Sequence, residues 1–184
     1  YELRKAGFEG MASDSPDVPE VLFAKSDPKD VLWVGTNSGL YRLDQQRLML
    51  KRVETGVLDS QTLELVAFDY ADGKERIFLA GDNTLFSLQD GNVKKIAIDG
   101  SDNRIHALLV ADNGRLWVGS NTGLLYSDRN SNQPLKAFPE LESLRISALY
   151  QAADKTLLVG TAKEGVFTID RNSLLTKLPL NTSE

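Results

Sequence analysis

The stretch Leu32-Trp33-Val34-Gly35-Thr36-Asn37-Ser38-Gly39-Leu40-Tyr41 returns downstream as Leu116-Trp117-Val118-Gly119-Ser120-Asn121-Thr122-Gly123-Leu124-Leu125. Looser copies stand at Phe78-Leu79-Ala80-Gly81 and Leu157-Leu158-Val159-Gly160-Thr161. With Gly35, Gly81, Gly119 and Gly160 as anchors, the spacings are 46, 38 and 41 residues. A period of about 40 residues built on short strands, rather than on helices, marks the blades of a β-propeller. The expected fold is all-β, a β-propeller with four four-stranded antiparallel blades. A single blade cannot cover both faces of its own sheet, so the repeats imply one continuous array.

Each repeat divides into four strands around its anchor. First strands are expected to begin at Val21, Leu65, Ile105 and Ile146, followed by turn pairs at Asp27-Pro28, Asp72-Gly73, Asn113-Gly114 and Asp154-Lys155. Asn-Gly and Asp-Gly tolerate the positive φ of tight hairpins. The second strands carry the signature. The third are expected over Leu40–Asp44, Leu85–Leu88, Leu124–Ser127 and Val166–Asp170, and the fourth over Met49–Val53, Val93–Ile98, Leu135–Phe138 and Leu174–Leu178. These boundaries give blades over 18–56, 62–99, 104–139 and 145–180. Apolar residues run almost continuously through the inner strands, as in sheets covered on both faces. Trp33 and Trp117 hold one repeat position, with Leu79 and Leu158 in the other copies, and read as packing residues between blades.

The opening residues 1–7 resemble Met49-Leu50-Lys51-Arg52-Val53-Glu54-Thr55-Gly56 and read as the outer strand of a preceding blade. A closed ring of four blades has no place for that strand. The expectation is an arc of a larger ring, completed by missing blades or by a second copy in a homodimer.

Composition narrows the classes. The 184 residues are 41% apolar, enough for a sizeable core, and the net charge of −5 gives no global field for nucleic acid or anionic membrane. The basic pairs Lys51-Arg52 and Lys94-Lys95 read as charges that discourage stray strand pairing. With no cysteine, disulfides, thiolate nucleophiles and thiolate metal sites are excluded. No apolar run reaches the ~18 residues of a membrane span, and no leader segment opens the chain. A targeting segment, if there is one, is cleaved or lies outside this sequence.

The stretch 32–44 resembles the two-component regulator propeller repeat, and Ala111-Asp112-Asn113-Gly114-Arg115-Leu116-Trp117-Val118-Gly119-Ser120-Asn121-Thr122-Gly123-Leu124 resembles it more closely. That repeat joins an Asp- and Gly-containing turn to Leu-Trp-(Val/Ile)-Gly-Thr and then Gly-Leu. The second copy has Thr84 in place of the second glycine, and the fourth lacks the tryptophan. Neither the WD40 nor the kelch signature occurs. The resemblance implies an extracytoplasmic (periplasmic or extracellular) sensor region of a bacterial signalling protein, placed ahead of a membrane span and an output such as a histidine kinase. It implies no shared catalytic residues and no cofactor.

Candidate chemistry is sparse. His106 is the only histidine, so a histidine-based metal site is excluded, and it reads as a packed or channel-facing imidazole rather than a catalytic base with Ser101 and Asp102. Asp99-Gly100-Ser101-Asp102-Asn103 offers calcium-type oxygen ligands without the full spacing of a known loop, and Asn181-Thr182-Ser183 is a formal glycosylation triplet. One polar constellation emerges from the repeat. Glu20, Glu64, Arg104 and Arg145 precede the four first strands, and the connections between second and third strands add Asn37, Ser38, Asn83, Asn121, Thr122, Lys163 and Glu164. In a propeller these fall around one mouth of the axial channel. Two carboxylates and two guanidiniums edged by amides would orient a polar small molecule, such as a carbohydrate or peptide, or an adjacent domain.

The reading is a non-catalytic ligand-sensing or protein-interaction module. Two rivals stay open: a propeller-fold lyase or hydrolase using two carboxylates, and a structural piece that completes a larger ring by self-assembly.

Overall fold

The computed structural model describes residues 7–12, 15–71, 73–81, 83–98, 103–129 and 134–179. In chain order its strands are β1 (Gly7–Phe8), β2 (Val21–Ser26), β3 (Leu32–Thr36), β4 (Gly39–Asp44), β5 (Met49–Arg52), β6 (Leu65–Ala71), β7 (Lys74–Gly81), β8 (Thr84–Gln89) and β9 (Asn92–Ile96). They continue as β10 (Ile105–Val110), β11 (Leu116–Ser120), β12 (Leu124–Ser127), β13 (Lys136–Ala137), β14 (Ile146–Gln151), β15 (Leu157–Thr161), β16 (Val166–Ile169) and β17 (Leu175–Lys177). A 3-10 turn at Pro139–Leu141 is the one helical element among the described residues. Each repeat forms a four-stranded sheet in chain order, and β1 adds a fifth strand to the first, outside β5. The described pairings within the four-stranded sheets are antiparallel. All four first strands begin at the residues expected from the repeat.

The chain divides into two compact units. Unit 1 comprises Tyr1–Asp82 with Phe86–Lys94, and unit 2 comprises Asn83–Leu85 with Lys95–Glu184. In unit 1, Trp33 and Leu40 of the first sheet pack with Val66, Ile77, Leu79, Phe86 and Leu88 of the second, around Leu58 and Leu63 of the connection. In unit 2, Trp117 and Leu124 of the third sheet pack with Ile146, Leu157, Val159 and Ile169 of the fourth, around Leu141. Both tryptophans thus cement one sheet to the next. Each fully buried side chain of this kind stabilises by about 1.5–3 kcal/mol.

Two expectations change on the structure. The first concerns the anchor of the second repeat. Leu65 pairs with Ala80, as Phe23 does with Gly35, Ala107 with Gly119 and Ala148 with Gly160. The structural anchor is therefore Ala80, not Gly81, and Phe78 rather than Leu79 holds the tryptophan position. The physical reason is a register shift after the first residue of β2, β10 and β14 that β6 lacks. The second concerns the opening residues, of which 1–6 lie outside the described residues. Gly7 and Phe8 pair parallel to Met49 and Leu50. Phe8, Met11 and Val18 then cover Val34, Tyr41 and Leu50, the first-sheet face opposite Trp33, with Phe8 edge-on to Tyr41 at 4.9 Å. The corresponding faces of the second and fourth sheets, at Leu79 and Val159, pack on the sheet before them. The opening strap of this chain thus occupies the side on which a preceding blade would pack.

Candidate functional site

The signature turns out to be a folding device at most of its positions. The hydroxyls of Thr36, Ser120 and Thr161 donate to the carbonyls of Gly39, Gly123 and Gly165 at 2.9, 3.0 and 2.8 Å. Each hydroxyl also accepts an amide of its own turn, from Ser38, Thr122 and Glu164. Gly39 and Gly123 have φ of +117° and +144°, and a Cβ there would stand 3.0 Å from the carbonyls of Leu58 and Leu141 in the following connections. Only glycine meets both demands.

The expected rim residues resolve into local pairs within each unit. In unit 1, Glu20 and Asn37 are joined reciprocally: the Glu20 amide donates to Asn37 Oδ1, and the Asn37 amide to the Glu20 carbonyl, both at 3.1 Å. In unit 2, the Asn121 amide donates to the Arg104 carbonyl at 3.1 Å, and the Ala162 amide, beside Lys163, to the Arg145 carbonyl at 2.9 Å. Glu20, Arg104, Arg145 and Lys163 are exposed. Glu64 departs from the pattern, its amide bonding the Ala80 carbonyl at 2.8 Å, and it is half-buried. His106 lies 2.7 Å from Asn121 Oδ1 through Nε2, so the imidazole is tied to the loop next to Arg104. Of the calcium-type stretch only Asn103 is described: it is buried and accepts the Thr122 hydroxyl at 2.9 Å. Residues 99–102 and the triplet at 181–183 lie outside the described residues.

A second constellation sits at the other end of the strands, in the hairpins joining the first and second strands of each repeat. The three turns starting at Asp27, Ala111 and Ala152 share one hydrogen-bond pattern, with the left-handed residue at Asp30, Gly114 and Lys155. In unit 1, the Asp27 carboxylate is 4% exposed and accepts four bonds. They come from the Lys29 and Val31 amides at 2.8 and 3.0 Å, Trp33 Nε1 at 2.9 Å and the Tyr70 hydroxyl of the second sheet at 2.7 Å. Burial alone would raise this carboxyl's pKa, but the bonds from Trp33, Tyr70, Val31 and Lys29 outweigh it and hold it below the usual carboxylate value. Tyr70 moves the other way, its phenol pushed well up by burial and then by its bond to Asp27. The sequence reading missed this network because Asp27 looks like an ordinary turn residue.

In unit 2 the aspartate is replaced by Ala111 while the tryptophan is kept. Ala111 and Trp117 are each 5% exposed, and among the described residues nothing accepts the Trp117 indole N–H. Both line a cavity of about 340 Å³ that also includes Arg115, Lys155, Gln151 and Arg171. The missed signal was the substitution itself: one repeat position carrying Asp in one Trp-bearing copy and Ala in the other.

The fold and its repeats define β-propeller architecture. Residues 99–122 match the model of the two-component regulator propeller family. Its structure is similar to the extracellular domain of a putative one-component system from B. thetaiotaomicron (18% identity, TM-score 0.68), over 92% of this chain and 23% of that one. It is also similar to the extracellular domain of a putative hybrid two-component system from B. thetaiotaomicron (21% identity, TM-score 0.68), over 87% and 22%. A third likeness is to virginiamycin B lyase from Staphylococcus aureus (11% identity, TM-score 0.68), over 92% and 58%. The chain thus spans less than a quarter of these two extracellular domains. No curated protein matches it. No helix among the described residues is long and apolar enough to cross a membrane.

Proposed function

We propose that the chain is part of a non-catalytic, extracytoplasmic sensor or interaction module of a bacterial signalling protein. The observation that carries this reading is the two-component regulator propeller repeat at 99–122, on a fold like that of extracellular sensor domains. The candidate recognition surface is the strand-start edge of each unit, with Glu20, Asn37 and Glu64 in unit 1 and Arg104, Asn121, Arg145 and Lys163 in unit 2. Its chemistry suits a polar ligand, because guanidinium forks pair with carboxylates in two-point fashion and amides set the orientation of hydroxyls. The ligand class is an acidic carbohydrate or a peptide, and an adjacent domain of the same protein is the other partner that fits. Signalling would be mechanical: a ligand shifts the balance between two arrangements by its difference in affinity for them.

The test is a thermal-shift and calorimetric screen of acidic and neutral oligosaccharides and peptides, run on the native protein and on the double variant Arg104→Glu, Arg145→Glu. A ligand lost in the variant supports this edge as the recognition surface. One that binds both proteins equally removes it. Turnover of a screened oligosaccharide would instead favour the enzyme reading that the lyase fold keeps open.

A further inference from the structure

The two tryptophan-bearing turns differ in one respect that points to a ligand. In unit 1 the Trp33 N–H, two turn amides and a phenol converge on a carboxylate the chain supplies itself. In unit 2 the corresponding turn has the same backbone pattern and an equally buried indole, yet a methyl group stands where the carboxylate would begin. Among the described residues the indole N–H meets no acceptor and is not sealed from solvent, and Trp117 lines a cavity of about 340 Å³. An apolar replacement of the aspartate would normally close up or fill with a hydrophobic side chain. Here an apolar floor of Ala111, Trp117, Leu157 and Ile169 is edged by three cations, Arg115, Lys155 and Arg171, and two carboxylates, Asp112 and Asp170.

Those two carboxylates are already committed. Asp112 is paired with Lys155, and Asp170 Oδ1 accepts the amides of Asn172 and Leu174, both at 2.8 Å. The guanidinium of Arg115 is held in place over the rings of Trp117 and Tyr126, at 5.5 and 5.0 Å, and by Asp128 at 2.8 Å. The cavity therefore offers a fixed guanidinium, shared with Asp128, and an indole donor that has no carboxylate at the turn position.

We propose that the cavity of unit 2 binds the carboxylate of a small organic acid, which stands in for the side chain that Asp27 provides in unit 1. The Trp117 Nε1–H donates to one carboxylate oxygen, and the guanidinium groups of Arg115 and Arg171 at the cavity wall face the negative charge. This site lies at the end of the strands opposite Arg104 and Arg145, so it stands or falls independently of the sensor surface proposed above.

The experiment follows the two indole N–H resonances of the full chain by ¹⁵N-resolved NMR during titration with sodium acetate and with sodium glucuronate, each against sodium chloride at equal ionic strength. The expected result is a saturable shift of the Trp117 resonance while Trp33 stays fixed. Trp117→Phe keeps the ring packing and removes the donor, and calorimetry should then show affinity reduced about tenfold or more, the loss of one charge-assisted bond. Ala111→Asp supplies the missing carboxylate, and is expected to abolish acid binding and move the Trp117 resonance toward that of Trp33. Should Ala111→Asp fail to fold, the wild-type titration and Trp117→Phe still decide. Absence of a saturable Trp117 shift with both acids, or unchanged affinity in Trp117→Phe, overturns the proposal. Saturation by acetate but not glucuronate retains it and limits the ligand to a smaller acid.

Discussion

The sheet-to-sheet seams of the two units are built alike and finished differently. Each places a tryptophan from one sheet against aliphatic side chains of the next, and each inserts a fully buried leucine from the connection. At the hairpin end, unit 1 locks its seam with a carboxylate that reaches across to Tyr70, while unit 2 leaves a cavity. The packing half of the design is generic to the repeat, and the polar half is where the two copies diverge.

The largest expected effect tests the lock. Asp27→Ala strips the acceptor from two amides, an indole and a phenol, and should destabilise unit 1 by about 3–4 kcal/mol. Denaturant unfolding followed through Trp33 in a Trp117→Phe background measures it. A loss as small as that of an exposed aspartate would mean the network contributes little.

Next comes crowding at the anchor glycines. A Cβ at Gly35 would run into the Phe23 ring of its own sheet and sit 2.6 Å from the Leu63 carbonyl, and one at Gly119 would sit 2.7 Å from Ile146 Cγ2 of the next sheet. Gly160, on the fourth sheet, would meet only Ala148 Cβ at 3.3 Å. Gly35→Ala and Gly119→Ala should each cost about 2 kcal/mol, and Gly160→Ala less than about 0.5 kcal/mol. Comparable losses at all three positions would show that the close approach of successive sheets is not what the glycines serve.

Acidity gives a third, smaller contrast. Because the folded Asp27 carboxyl lies below its unfolded value of about 3.9, its contribution is complete above that pH and disappears as pH falls through the lower folded value. The stability gap between wild type and Asp27→Asn should therefore be flat from neutral to mildly acidic pH and close only below it. Urea titrations of the pair across that range supply the check. The smallest effect is expected from Ala111→Asp, which without added acid should stabilise unit 2 by about 1 kcal/mol if the new carboxylate reaches Trp117. Near-zero or negative change would indicate that the cavity walls are not arranged as those of unit 1 are.

How far the sequence could be read follows from where the information is local. Strand starts at Val21, Leu65, Ile105 and Ile146 were legible because apolar runs and turn residues repeat with the sheets. The anchor of the second repeat was misplaced by one residue, since Gly81 looks like a signature glycine and a register shift leaves no mark in composition. The turn at Asp27-Pro28 was located, but its left-handed residue is Asp30. The strap escaped notice because Phe8, Met11 and Val18 show no period and find their partners only in three dimensions. Among the expected recognition residues, Glu20 and Asn37 are joined by one backbone bond and one bond from the Glu20 amide to Asn37 Oδ1, a pairing that the repeat alignment does not contain. Asp27 and Tyr70, 43 positions apart, meet across a seam that neither motif describes.

The strap has one more consequence. Repeat arrays propagate stability through nearest-neighbour contacts, and an unprotected terminal repeat is their weak point. With Phe8 seated on Tyr41, this face of the first sheet draws that coupling from the segment leading into it. Any sheet approaching from that side would have to evict the strap before it could dock.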